Sequence, residues 1–202
     1  MTIKKLKWWV VFTLSALPFL VSAYLYSFNP RKLGIDPAEV LLESAGEWAL
    51  RFLLITLACS PLRRLGIRIL NPYRRMLGLY SFFYASLHLC IYLLGWISLD
   101  LTTFIDDLLK RPFIYLGMLS WLLLLVLAVT SPKFMVKKLK KNWVKVHMST
   151  YAVILLVWIH LWLQSRASAF DAILYGACIA LLLGERIYRR AVLGKVKKAS
   201  SL

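Results

Sequence analysis

Three histidines, His88, His147 and His160, hold most of the chemistry this sequence offers, and all lie in or at the edge of long apolar runs. An ionisable side chain at membrane depth is costly, so its presence points to function. One buried imidazole alone can be satisfied by an interhelical hydrogen bond. Two at one level can do more. Measured from Arg75 and Val144, the inner edges of two runs with the same direction, His88 and His160 lie ~20 Å and ~24 Å deep at the helical rise. His147 lies only ~4–5 Å deep by the same rise. Only His88 and His160 could therefore face one iron as axial ligands, which points to a bis-imidazole haem in a bundle core. Zinc fits less well, because no Cys or carboxylate shares that level except Cys90. A c-type haem is excluded, because the sequence contains no CxxCH. With both axial positions filled, such an iron passes electrons and has no open position for substrate.

The elements that must hold these residues are membrane helices. Of 202 residues, 60% are hydrophobic and 17% charged, too few charges for a water-facing surface. Mean hydropathy is +0.69. Six apolar runs are predicted as spans: about 8–28, 45–62, 76–99, 112–130, 143–163 and 170–187. Each is close to the ~20 residues a crossing needs, and Leu-rich runs of that length exclude barrel strands. The fold class expected is an all-α six-helix membrane bundle forming one domain over 1–202. Six spans leave little room for a nicotinamide-binding half, and no GxGxxG follows a strand-like run. The first run has a basic start, and Val21-Ser22-Ala23 resembles a cleavage site. It is long for a signal peptide and is expected to stay as a span, with a kink at Pro18. No internal repeat is visible.

The net charge of +17 is positional. Twenty of the 26 basic residues fall in the N-terminus, the second and fourth connections and the C-terminal tail. The other connections hold Asp36, Glu39, Asp100, Asp106, Asp107 and Asp171. Basic segments mark the cytoplasmic side, so both termini are expected there, and the charge argues for membrane lipid and against nucleic acid. Asp36-Pro37-Ala38-Glu39 reads as a helix start, a short outer helix leading into the second span.

Four other features have two readings each. Arg51 either snorkels to the outer surface or pairs with a haem propionate. Arg74 and Arg75 either mark topology or hold a phosphate or propionate on the inner side. His147 could touch a second cofactor or quinone, make an interfacial hydrogen bond, or ligate a second haem. Ala172, Gly176 and Ala180 read as helix packing, and Cys59, Cys90 and Cys178 as small buried apolar residues.

Arg74-Arg75-Met76-Leu77-Gly78-Leu79, Leu87-His88-Leu89, Arg111-Pro112-Phe113-Ile114, Trp143-x3-His147-x3-Tyr151 and Ile159-His160-Leu161-Trp162 occur in that order. In these motifs the chain resembles the haem-binding membrane subunits of bacterial periplasmic protein-methionine-sulfoxide reductase systems, within the ferric-reductase-like transmembrane family. The resemblance runs from the first span to the sixth. It implies an inner-membrane b-type cytochrome. Electrons would come from the quinone pool, or from a cytoplasmic flavin reductase, and leave to a periplasmic molybdopterin-containing catalytic subunit that reduces protein methionine sulfoxide. It also implies FMN. The family's histidines fall on His88, His147 and His160. Larger relatives use two histidine pairs, and this chain has no fourth histidine. Two rival readings are a haem or small-molecule transporter or assembly factor, and a colourless structural anchor.

Overall fold

The computed structural model describes residues 2–164 and 169–199, with side chains as far as Val192. Lys195, Lys197 and Lys198 of the basic tail lie beyond those side chains. The described residues form nine α-helices and no strand. They are α1 (Ile3–Phe28), α2 (Pro37–Arg64), α3 (Arg74–Ile91), α4 (Leu101–Lys110), α5 (Pro112–Val129), α6 (Lys133–Leu139), α7 (Lys141–His147), α8 (Thr150–Gln164) and α9 (Ala169–Ala199). Four stretches are long and apolar enough to cross a membrane: Ile3–Phe28, Asn71–Trp96, Pro112–Val129 and Lys141–Gln164. Their lipid-like exposure is plain on α1, where Leu14, Leu17, Leu20 and Val21 all face outward. A soluble monomer rarely shows such a surface, so this is a membrane protein. The runs about 45–62 and 170–187 lie inside α2 and α9. These helices are long enough to cross, but their ends carry Glu39, Glu43, Arg63 and Arg64 on α2 and Glu185, Arg186, Arg189 and Arg190 on α9.

Side-chain pairs set the directions. Gly46 meets His88 and Gly78 meets Thr56, so α2 and α3 are antiparallel. Gly117 meets His160, and Thr130 meets His147, so α5 runs against α7 and α8. Trp158 reaches Ala172, and Arg186 lies over Tyr151, so α8 and α9 are antiparallel as well. α1 runs with α3, through Phe12–Tyr80 and Ser15–Tyr84. The helices α1, α3 and α8 thus point one way and α2, α5 and α9 the other. The start of α1 and the end of α9 share one end of the bundle.

Two cores flank α2. One joins Leu50, Leu53 and Leu57 to Leu124, Leu127, Val153, Ile154 and Ile179. The other joins Phe52 and Cys59 to Leu77, Tyr80 and Tyr84, with Phe52 stacked on Tyr84 at 5.4 Å. Between apolar helices in lipid, association depends on close packing and interhelical hydrogen bonds. Ser81 donates to Ala49 O (2.8 Å), Trp121 to Ser86 Oγ (3.0 Å) and Trp158 to Ala172 O (2.9 Å). Gly176 lies under the Trp158 ring, where a Cβ would come within 2.7 Å of the indole nitrogen. Cys59 is buried and Cys178 partly so, whereas Cys90 is exposed, contrary to the reading of all three as buried.

Proline breaks are repaired from neighbouring helices. Pro18 lies inside α1 without ending it. One residue on, the Tyr84 hydroxyl is inserted into the ladder, accepting from Phe19 N (3.1 Å) and donating to Ser15 O (2.8 Å). Pro61 has no N–H for Leu57 O, four residues earlier. The Arg186 guanidinium supplies one, at 2.5 Å.

Four local features differ from the sequence reading. The helix start at Asp36-Pro37 does not open a separate short helix: α2 begins at Pro37 and is continuous, with Asp36 Oδ1 accepting from Ala38 N and Glu39 N, and only a 3-10 turn, Pro30–Leu33, precedes it. The third run ends in a π-turn, Tyr92–Trp96, and then reverses through Ser98 and Leu99, both at positive φ. The fifth is divided into α7 and α8 near Ser149. α4, absent from the six-run reading, is an amphipathic helix with Leu101, Ile105 and Leu109 exposed. Its cap is Asp100, which accepts from the Thr102 and Thr103 hydroxyls, each at 2.6 Å. Those bonds hold the Asp100 carboxyl down to about 2. A depressed acid stabilises the fold above its ordinary value of 3.8, so this cap is lost only as pH falls through about 2.

Tyr84→Phe removes both bonds that splice α1, and should cost about 1–3 kcal/mol. Tyr80→Phe, which loses a single bond to Phe12 O, should cost less. Thermal unfolding of the detergent-solubilised protein would compare them.

Candidate functional site

His88 and His160 meet in the interior of the bundle. Their ring centroids are 6.2 Å apart and the rings stand at 85° to one another. Imidazole–metal bonds are ~2.0–2.1 Å, so two imidazoles on opposite sides of one metal place their centroids ~6 Å apart. Each ring is fixed in the same way. His88 Nδ1–H donates to Leu42 O (2.8 Å) and His160 Nδ1–H to Phe113 O (2.6 Å). A carbonyl can only accept, so the proton sits on Nδ1 and the Nε2 lone pair remains for a ligand.

Glycine makes room for both rings. A Cβ on Gly46 would lie 3.0 Å from His88 Nδ1, and one on Gly117 would lie 2.9 Å from His160 Cε1. In each case the accepting carbonyl is four residues before the glycine, on the same helix: Leu42 and Gly46 on α2, Phe113 and Gly117 on α5. The pairs α2–α3 and α5–α8 are therefore two copies of one device, although their sequences show no repeat. Nothing in the sequence motifs marks Gly46 or Gly117 as part of the site. The available signal was a glycine inside an apolar helix, which marks close approach.

The histidines line a cavity of about 660 Å³, within the range of ~300–1,000 Å³ typical of cofactor-sized sites. Leu50, Leu53, Leu89 and Leu124 form its apolar wall. Glu39, Glu43, Glu47, Arg111 and Asp171 lie at its polar mouth. That mouth opens at the end of the bundle where α2, α5 and α9 begin. Gly117 is five residues into α5, ~8 Å along its axis. The donor set, the ring spacing and the volume fit a porphyrin held between two imidazoles. Among the described residues, no group of three or more His, Cys, Asp or Glu could hold a metal by themselves.

The other candidates lie elsewhere. His147 is at the opposite end of the bundle, stacked on Trp143 at 4.1 Å. The Thr130 hydroxyl donates to Val126 O, so it accepts from His147 Nε2–H at 3.1 Å. Arg74 is at that end too and donates to Ser60 Oγ at 3.2 Å, with Arg75 beside it in the chain. Arg51 does not line the cavity: it pairs with Glu47 at 2.5 Å, donates to Tyr175 Oη at 3.0 Å and covers the Trp48 ring. The arginine at the mouth is Arg111.

Residues 45–158 match the model of the ferric reductase like transmembrane component. The chain belongs to this family. Its matched part contains α3, α5 and most of α2 and α8, with Gly46, His88, Phe113 and Gly117 inside the match and Leu42 and His160 just outside it. Family relatives include the protein-methionine-sulfoxide reductase heme-binding subunits MsrQ of Xanthomonas oryzae pv. oryzae, 44% identical over 84% of this chain and 78% of the relative. The MsrQ protein of Xanthomonas campestris pv. campestris is 45% identical over 78% of this chain and 73% of its own. That of Azospira oryzae is 41% identical over 89% and 78%. No solved structure matches the chain significantly.

Gly117→Ala should push the His160 ring off its carbonyl and cost about 1–3 kcal/mol as an overpacked site, with Gly46→Ala acting likewise on His88. Gly184→Ala, which meets nothing within 4 Å inside α9, should not destabilise the protein and by helix propensity should add up to about 1 kcal/mol. Melting curves of the three variants measure this.

Proposed function

We propose that this chain is the haem-b-carrying, electron-transferring membrane subunit of a protein-methionine-sulfoxide reductase system. The observation that carries the reading is the His88–His160 pair, 6.2 Å between centroids with both Nδ1 atoms tied to backbone carbonyls. The names of the MsrQ relatives support it, since those proteins are called heme-binding subunits of that reductase. Haem b, when bound, supplies a one-electron iron couple. The chain's residues do the rest. His88 and His160 offer Nε2 from opposite helix pairs, and Leu42 O and Phe113 O keep the rings from turning. Leu50, Leu53, Leu89 and Leu124 exclude water from the wall.

The topology proposed is six spans with both termini in the cytoplasm, in a bacterial inner membrane. Support comes from charge. Arg64, Arg74, Arg186 and Arg189 gather at the end where α1 starts, while Asp36, Asp100, Asp106 and Asp171 mark the other. Positive residues stay inside, so the cavity mouth faces the periplasm. That is where a molybdopterin-containing catalytic subunit would collect electrons. The donor in this reading is the quinone pool, or a cytoplasmic flavin reductase, on the side of Arg74, Arg75 and His147. FMN rests on the family resemblance, with no residue assigned to it.

A pyridine haemochromogen assay on the purified protein should return haem b. His88→Ala and His160→Ala should each abolish the low-spin spectrum, and an unchanged spectrum in either variant overturns the ligand assignment. Membranes given a quinol should show reduction of the same chromophore, and NADPH alone should not reduce the purified protein.

A further inference from the structure

Arg111 stands apart from the other arginines. Among the described residues that line the cavity it is the only Lys or Arg, and its neighbours at the mouth include Glu39, Glu43 and Asp171. Its Nε donates to Asp107 Oδ1 at 2.9 Å. The other carboxylate oxygen, Oδ2, accepts from the Tyr92 hydroxyl at 2.7 Å. Asp107 is only 6% exposed, so both its oxygens are spent on orienting these two side chains. The Arg111 side chain is 51% exposed. No other partner among the described residues takes its terminal Nη1 and Nη2 groups, which leaves one edge of a fixed guanidinium fork facing the mouth. Arg is suited to this arrangement, because its planar fork can bind one carboxylate through Nε and another through the terminal nitrogens.

The connections of this latch matter as much as its charge. Tyr92 is one helical turn beyond His88, at the start of the π-turn. Arg111 is the residue before α5, two before the carbonyl that holds His160. The run Tyr92–Asp107–Arg111 therefore ties the His88 helix, through α4, to the helix that orients His160. A π-turn at this place is in keeping with the frequent use of such turns at functional sites.

We infer that Arg111, oriented by the buried Asp107 and by Tyr92, is the anchor for a carboxylate of the tetrapyrrole that occupies the cavity. The inference rests on the haem reading above and replaces Arg51, whose guanidinium is committed to Glu47 and Tyr175. Arg111 makes the contact, and Asp107 and Tyr92 are positioning residues. The surrounding acids would repel the same carboxylate, so Arg111 decides which way round the ligand's polar edge is seated.

The test is a thermodynamic cycle on the full-length protein in detergent, stripped of pigment and titrated with haem b or with its dimethyl ester. The wild type should bind haem b about tenfold or more tightly than the ester, the size of one charge-assisted hydrogen bond. Arg111→Gln should reduce that ratio towards one while keeping the low-spin spectrum, because His88 and His160 are untouched. Asp107→Asn and Tyr92→Phe keep the arginine but loosen it, and should give intermediate ratios; they also serve if Arg111→Gln does not fold. Spectroelectrochemical titration of Arg111→Gln should show a lower midpoint potential, since a cation beside the ligand is lost. An ester ratio equal to the wild type's in all the variants that fold overturns the inference and leaves the haem reading intact. Failure of the wild type to form a low-spin complex with either ligand overturns both.

Discussion

Two backbone carbonyls, those of Leu42 and Phe113, constrain everything else at the site. A helical carbonyl has two lone pairs and gives only one to its own helix. The second is available to a neighbouring side chain, provided the neighbour can approach. Gly46 and Gly117 permit that approach, because each removes the Cβ that would stand within about 3 Å of the imidazole. The bond settles the tautomer, the ring orientation and the atom left for a ligand. It also joins the helices, so the geometry of the histidine pair and the packing of α2–α3 and α5–α8 are one property of the protein.

Elsewhere the bundle follows the same rule of lipid: backbone groups must find partners inside the protein. Tyr84 completes α1 just after Pro18, and Arg186 serves the carbonyl that Pro61 leaves without a donor. Both repairs are made by a different helix, so they hold the bundle together while mending it. Arg186 also lies over Tyr151, which puts a cation to structural use at the basic end, where charge is tolerated.

The two ends differ in chemistry. At the basic end, Arg64 and Arg189 share Glu185, and His147 is tied to Thr130 and Trp143. At the acidic end, the cavity opens among carboxylates and the Tyr92–Asp107–Arg111 latch. Low dielectric strengthens such polar contacts when they are satisfied. A site placed a few turns from one end has an apolar wall and a polar mouth.

Much of this was legible from residue types and spacing. Hydropathy marked the helical, membrane-embedded character of the chain, and four of its apolar runs fall on stretches long enough to cross a bilayer, because lipid demands apolar length. The helical rise brought His88 and His160 to one level, because depth along parallel helices is additive in residue number. Asp36 acted as a cap for local reasons that any chain would obey. Rotation about the helix axes was decided only by packing. It gave Arg51 to Glu47 and Tyr175, brought Arg111 to the cavity, and aligned two glycines with two carbonyls. Those outcomes depend on residues from 42 to 175 meeting across five helices. No pattern within a single helix specifies which of its faces another will choose, and that choice belongs to the tertiary structure.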